Sequence, residues 1–370
     1  MSAAAAIFIV ALSATLALPQ QPDPDQLLKS AIEEQQHGDY PSAIRDYRKV
    51  LELRPNIIEA KVNLAAALVH VGQYDTAIAM YREVLPALSF KNPVLLNLGL
   101  AYYKKGDFKN ASEQFDALHR AQPADVRVVV LLGDSYLHLA QPADALALLE
   151  PLAAPNSQNL DFDYVLGSAL IKAGRRRDGI PLIEKVAESS KSGDAYLLAG
   201  STLMQINEFD QALKDLEAAL RLDAKLPGIY TVLGTARDKT GDVKGAEAAF
   251  REALKTNADD FDANLYLGAI LCKRRDLDEA RPYLERAVRL NPGSSMARYE
   301  MAMLKSTSGQ YEAAAEDLEK VVKDDPEWLE PHVELASLYY RLHRAEDGRK
   351  ERQVVDRITA EQQEKGPGKP

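Results

Sequence analysis

The stretch NLGLAYYKKGDFKNASEQFDALHRAQP, from Asn97 to Pro123, carries a glycine at Gly99, a tyrosine at Tyr102, a small residue at Ala111, a ring at Phe115 and a proline at Pro123. Thirty-four residues later the same order begins again with LLGDSYLHLAQPADALALL. Frames laid from Pro24, Ile58, Asn92, Val126, Leu160, Gly193, Pro227, Phe261, Ser295 and Leu329 align the whole chain on this pattern. The eighth position then reads Ala31, Ala65, Gly99, Gly133, Gly167, Gly200, Gly234, Gly268, Ala302 and Ala336. The twentieth reads Ala43, Ala77, Ala111, Ala145, Gly179, Ala212, Ala246, Ala280, Ala314 and Gly348. Small residues at both places let two helices approach closely. A large residue at position 24, such as Tyr47, Phe115, Ile183 or Phe250, fills the space they leave. Between the halves stand Gly38, Gly72, Gly106, Gly241 and Gly309, where glycine ends a helix at positive φ. Pro55, Pro123, Pro292 and Pro326 close their frames because proline cannot continue the preceding helix. Each frame is predicted to be a helical hairpin.

This grammar resembles the tetratricopeptide repeat, whose signature has Leu-Gly-x-x-Tyr followed by small, aromatic, small and proline positions at these offsets. The resemblance covers ten frames and implies an all-α fold, a right-handed superhelical solenoid of helical hairpins spanning 24–362. Frames 3 and 7 match best. Frame 4, with Pro151 inside its second helix and Ser157 at its closing position, is expected to form a weak joint near 150–160. Frame 5 also departs, with Gly179 and Pro181 in its second helix. The tenth frame has Arg352 at the large position, and its charged run RKERQVVDRITAEQQEK suits a solvent-facing cap. Residues 363–370 read as a disordered tail.

The N-terminal stretch AAAAIFIVALSATLAL, Ala3 to Leu18, is sixteen uncharged residues followed by the polar, proline-rich PQQPDPDQ. It is shorter than the roughly 20 residues a spanning helix needs and fits a signal peptide over 1–18, with a linker at 19–23. No lysine or arginine precedes it, so an uncleaved anchor is the alternative. The expected location is exported, periplasmic or secreted, with membrane contact confined to residues 3–18. A net charge of −10 argues against nucleic acid as a partner, which requires a concentrated basic face. The basic runs Gly174–Asp178 and Lys273–Asp276 fall at turns within frames and read as solvated helix ends. Cys272 is the single cysteine and reads as a packed apolar side chain.

The chain has no phosphate-loop, His-Glu-x-x-His, Cys-x-x-Cys or Gly-x-Ser-x-Gly motif, and its six histidines are scattered. Acidic pairs such as Asp259-Asp260 and Asp324-Asp325 sit at frame ends and read as helix caps. No enzyme, cofactor or metal site is predicted.

What remains is a surface. The resemblance implies that the first helix of each frame lines the binding face, so positions 2, 5, 6, 9 and 12 contact a partner while 4, 7, 8 and 11 pack inside. The candidate partner-binding residues are Val62, Asn63 and Ala66, then Leu96, Asn97, Leu100 and Tyr103, then Val130, Leu131 and Asp134. Leu197, Leu198, Val232, Leu265, Tyr266, Tyr299 and Met303 continue the apolar positions. Asn63 and Asn97 occupy the same place in successive frames. In related arrays such asparagines grip a peptide backbone, since an amide both donates and accepts; Leu131, Val165 and Leu198 interrupt that ladder here. The family's carboxylate clamp for chaperone tails is matched at Asn63 alone, with Leu28, Ile32, Pro93 and Asn97 at its other places. The expected function is a non-catalytic scaffold that holds a protein or peptide partner. A membrane-anchored assembly factor of an envelope complex and a co-chaperone-like protein of a secretory compartment are the alternatives. The latter would make the sequon Asn110-Ala111-Ser112 relevant, although the J-domain His-Pro-Asp triplet of such proteins is missing.

Overall fold

The computed structural model describes residues 23–364. The expected signal segment at 1–18 and the end of the tail lie outside the described residues. The described chain is helical throughout and divides into two units between Ser157 and Gln158.

Unit 1 contains α1 (Pro24–Gln36), α2 (Tyr40–Leu53), α3 (Ile58–His70), α4 (Tyr74–Val84), α5 (Asn92–Lys105), α6 (Phe108–Ala121), α7 (Val126–His138), α8 (Pro142–Leu149) and the single turn α9 (Ala153–Asn156). Unit 2 contains α10 (Leu160–Lys172), α11 (Arg176–Ser190), α12 (Gly193–Gln205), α13 (Phe209–Leu222), α14 (Ile229–Lys239) and α15 (Val243–Thr256). It continues with α16 (Phe261–Lys273), α17 (Leu277–Leu290), α18 (Ser295–Thr307), α19 (Tyr311–Asp324), α20 (Leu329–Arg341) and α21 (Ala345–Glu364). Every frame read from the sequence is one antiparallel hairpin, and within each unit a hairpin's second helix packs on the first helix of the next. The last helix runs two residues past the end expected from the sequence.

The small residues do what their spacing demands. Positions 8 and 20 are buried in all ten frames. A Cβ on Gly99 would lie 2.5 Å from the Phe115 ring, one on Gly234 2.6 Å from the Phe250 ring, and one on Gly268 2.6 Å from Leu284. The large position is fully buried in frames 1 to 9, from Tyr47 through Leu318. Frame 5, which departs from the signature, is closely packed because it departs: a Cβ on Gly179 would meet the Gly167 carbonyl oxygen at 2.6 Å. Two glycines there bring backbone against backbone.

Position 15 holds a left-handed residue in every frame. Gly38, Gly72, Gly106, Gly174, Gly241 and Gly309 supply it without strain, but Ala140, Asn207, Arg275 and His343 adopt the same conformation at φ 56–70°. The hairpin imposes this geometry whatever residue arrives. Capping is likewise repeated: Asp39, Asp107 and Asp242 accept backbone N–H bonds at the start of second helices, and Asp125, Asn159, Ser192, Asp260 and Ser294 do so at first helices.

The core differs from expectation in its stripe. Positions 3 and 10 are buried, as at Ala60, Val94, Val128, Ala67, Ala101 and Ser135, whereas position 4 is half-exposed at Lys61, Leu95, Tyr196 and Tyr230 and buried as expected at Val129, Asp163, Asn264 and His332. A first helix is packed by its own partner and by the preceding second helix, so it buries two stripes. Pro151 does not interrupt an α-helix. α8 stops at Leu149, and Glu150–Leu152 forms a 3₁₀ turn before α9. Pro86 has the same effect after α4, where Leu85–Ala87 is a 3₁₀ turn. α14 begins at Ile229 because Gly228, at φ +73°, serves as its N-cap.

A second regularity runs between neighbouring frames. At four joints the side chain at position 17 meets position 13 of the next frame: Tyr40 stacks on His70 at 4.3 Å and Phe108 on His138 at 4.0 Å. Arg176 donates to Gln205 at 2.9 Å, and Arg341 lies 5.4 Å from the Tyr311 ring. At the C-terminal end Arg352 is exposed, as expected of a cap, while Val355 and Ile358 turn inward and Gly348 lies against the Tyr340 ring.

Candidate partner-binding face

First helices of neighbouring hairpins also touch one another, as α3 and α5 do, while successive second helices make no comparable contact. In unit 1 the face made by α3, α5 and α7 carries all ten candidate residues. Val62, Asn63, Ala66, Leu96, Asn97, Leu100, Tyr103, Val130, Leu131 and Asp134 are each half-buried, neither sealed in the core nor fully exposed. Val62, Leu96, Leu100, Tyr103 and Leu131 rest against the core of unit 1 while keeping one side open. Of the residues named as their continuation in unit 2, Leu265 is sealed inside at 3% exposure and offers nothing to a partner.

The polar members are less free than their spacing implied. Tyr103 donates a short hydrogen bond to the Asp134 carboxylate, tying two candidates from successive frames together. Burial and that carboxylate both hold the Tyr103 hydroxyl protonated, pushing its pKa up. Asp134 also faces His138 Nε2 at 3.5 Å, and Tyr103 meets the Phe108 and His138 rings edge-on. Asp134 is therefore part of an inter-frame brace, a role that periodicity does not reveal. In frame 1, Tyr47 donates to Gln35 at 2.8 Å, and burial raises its pKa to about 12 against the opposing hydrogen bond of the Asn63 amide. Asn63 thus touches its own fold as well as the open face.

Leu96 also lines a small cleft with Phe90, Pro93, Leu118 and Val128. Phe90 is 64% exposed, the most exposed of the large apolar side chains described. Sequence reading missed it because it lies in the loop after Pro86, outside the periodic positions.

The remaining chemistry-bearing residues are absorbed structurally. Arg175 pairs with Asp178 at 2.9 Å and Arg177 with Glu208 at 3.6 Å, while Arg274 pairs with Glu247 at 2.6 Å. Asp260 caps α16, Asp259 pairs with Arg286 and Asp324 with Arg298. Cys272 is buried, and burial pushes its thiol pKa up. His332 bonds Glu351 at 2.5 Å and the Pro326 carbonyl at 3.1 Å. Among the described residues no cluster of ligand-type side chains could hold a metal, and no helix is long and apolar enough to cross a membrane.

The fold and this face define a helical-repeat scaffold. Models of the tetratricopeptide repeat match residues 96–159, 164–227 and 231–295, more than half of the chain, and further models of the same repeat match 35–89 and 297–327. The chain belongs to the tetratricopeptide repeat family. It is 23% identical over 326 residues to the TPR repeat-containing protein YpiA of Bacillus subtilis, a match covering 84% of this chain and 74% of that one. It is 20% identical over 252 residues to anaphase-promoting complex subunit 3 of Schizosaccharomyces pombe, covering 68% of this chain but 38% of that relative. Among solved structures, a tetratricopeptide repeat protein from Parabacteroides merdae superposes with a TM-score of 0.53 at 14% identity, covering 66% of this chain and 97% of the other.

Proposed function

We propose that the chain is a non-catalytic scaffold that holds an extended segment of a partner protein along α3, α5 and α7. The observation that carries this is the open, half-buried apolar row Val62, Leu96, Leu100, Val130 and Leu131, with the Asn63 and Asn97 amides beside it. Apolar side chains that already rest on a core can be covered with little further ordering, and the amides set the register of a peptide backbone. The Schizosaccharomyces pombe relative is named as a subunit of a complex, which agrees with an assembly role. Residues 3–18 would direct the chain out of the cytoplasm, either cleaved or retained as an anchor.

The test is capture of partners by the 19–370 fragment, read by mass spectrometry, with two double variants. Leu96→Asp with Leu100→Asp places charges where an apolar group must dock and is expected to abolish capture. Asn63→Ala with Asn97→Ala removes hydrogen bonds worth about 0.5–1.5 kcal/mol each and is expected to weaken it roughly tenfold. Melting curves accompany both, since Leu96 and Leu100 also touch the core. Undiminished capture by the aspartate pair, together with loss on charge reversal at Arg175, Arg176 and Arg177, would move the site to the basic turn.

A further inference from the structure

The second helices of unit 2 leave room between them, and between α15 and α17 the gap is an open cleft of about 490 Å³. Its apolar floor is Leu254, Pro282 and Tyr283, and its rim carries Arg251, Lys255, Arg286 and Arg289. No carboxylate lines it, although the chain as a whole carries a net charge of −10. The acidic partners of these cations stand outside the cleft. Arg251 meets Glu247 and Glu279 through Nε and Nη2, at 2.7–3.2 Å. Arg286 meets Asp259 through Nε at 2.9 Å and Nη2 at 2.7 Å, and Lys255 meets Glu252 at 2.5 Å. Neither arginine uses Nη1 in these bonds. A guanidinium has five N–H donors, so each can hold its present carboxylate partner and still donate to a second one. Arg289 follows Arg286 at the i+3 spacing of α17 and is exposed.

We infer that this cleft is a second docking site, taking an acidic segment of a partner protein whose carboxylates flank an aliphatic or aromatic residue. The cations are spread along two helices rather than gathered on a point, so a compact anion would reach part of the rim and leave the floor wet. A short segment with carboxylates on both sides of an apolar side chain meets rim and floor together. The site goes beyond the face proposed above, lies on other helices, and does not depend on it.

The experiment is fluorescence anisotropy of the full chain with a labelled Asp-Glu-Leu-Phe-Glu-Asp peptide. Saturable binding that weakens with salt is expected, with a loss of at least tenfold in the Lys255→Glu, Arg289→Glu double variant and a smaller loss in Arg289→Gln. The Leu96→Asp, Leu100→Asp variant should bind the peptide like the parent, which separates this site from the α3–α5–α7 face. Unchanged affinity in the charge-reversed variant, with circular dichroism confirming the fold, would overturn the inference. So would equal binding of a peptide with serines in place of Leu-Phe, or displacement of the peptide by inorganic phosphate at equal concentration.

Discussion

Two residue positions show how the hairpin overrules its side chains. Ala140 and Arg275 hold the left-handed conformation that six other frames give to glycine, and for an L-residue that conformation costs about 1–2 kcal/mol. Ala140→Gly is therefore expected to stabilise unit 1 by about 0.5–1 kcal/mol after the added flexibility of the unfolded chain is deducted. Gly106→Ala should cost about as much in the opposite direction, and denaturant unfolding of the two variants reads both. Asp215 is the other instructive residue. It is 5% exposed, its Oδ2 is buried without a hydrogen-bond partner, and it faces Glu184 and Glu188. Burial first, then Glu184, raises its pKa from 3.8 to about 7, with Lys214 opposing. The folded state thus keeps a proton that the unfolded state gives up. That contribution is whole below pH 3.8 and is lost as pH rises toward 7. Asp215→Asn stays neutral at every pH, so its melting temperature should pull ahead of the parent as pH rises from about 4 to about 7 and hold that lead above it. Parallel curves would refute the assignment.

At the scale of the element, close approach is what each hairpin depends on. Gly99→Ala would drive a Cβ into the Phe115 ring and should cost about 1–3 kcal/mol. Adding Phe115→Leu should return part of that loss, and strict additivity in the cycle would show that the two do not touch. Ala111→Leu, at a fully buried site in the same hairpin, should destabilise by a similar amount. The connection from Glu150 to Asn159, a 3₁₀ turn and one helical turn with no buried residue, is the expected first site of limited proteolysis. Cleavage between Leu152 and Asp161 should release two helical fragments, and a first cut within frames 3 or 7 would contradict this. The frames themselves were legible in the sequence, because Ala or Gly at positions 8 and 20 is dictated by helix approach and recurs without exception. Less legible were features imposed from outside the residue. Nothing in Ala140 or Arg275 announces positive φ, and nothing in Asp134 announces the Tyr103 hydroxyl one frame earlier. The ten candidate surface positions followed from the resemblance to the repeat family, whereas Phe90 and the cleft between α15 and α17 arise from a broken turn and from helix spacing that no period encodes.

For the whole molecule, the ends of a repeat array must be closed, and α21 does this with a polar exterior. Val355 and Ile358 are buried as α21 packs on α20, while Arg357 pairs outward with Glu327 at 3.0 Å. Deleting residues 345–364 should lower the melting temperature and produce concentration-dependent association by light scattering, because the exposed face of α20 would seek a second copy. The contacts between position 17 and position 13 of successive frames carry a further consequence. Their chemistry changes along the chain: stacked rings at Tyr40–His70 and Phe108–His138, a hydrogen bond from Arg176 to the Gln205 amide oxygen, a cation over a ring at Arg341–Tyr311. In frames 7 and 8 the residue at position 17 is Val243 or Leu277, an aliphatic side chain that can neither stack as a ring nor hydrogen-bond, and Val243 is 47% exposed. The joint between frames 7 and 8 is bridged by charge instead, Arg274 to Glu247 at 2.6 Å and Arg251 to Glu279 at 2.7 Å. Added salt screens such exposed pairs, so that joint should loosen with ionic strength while the stacked-ring joints hold.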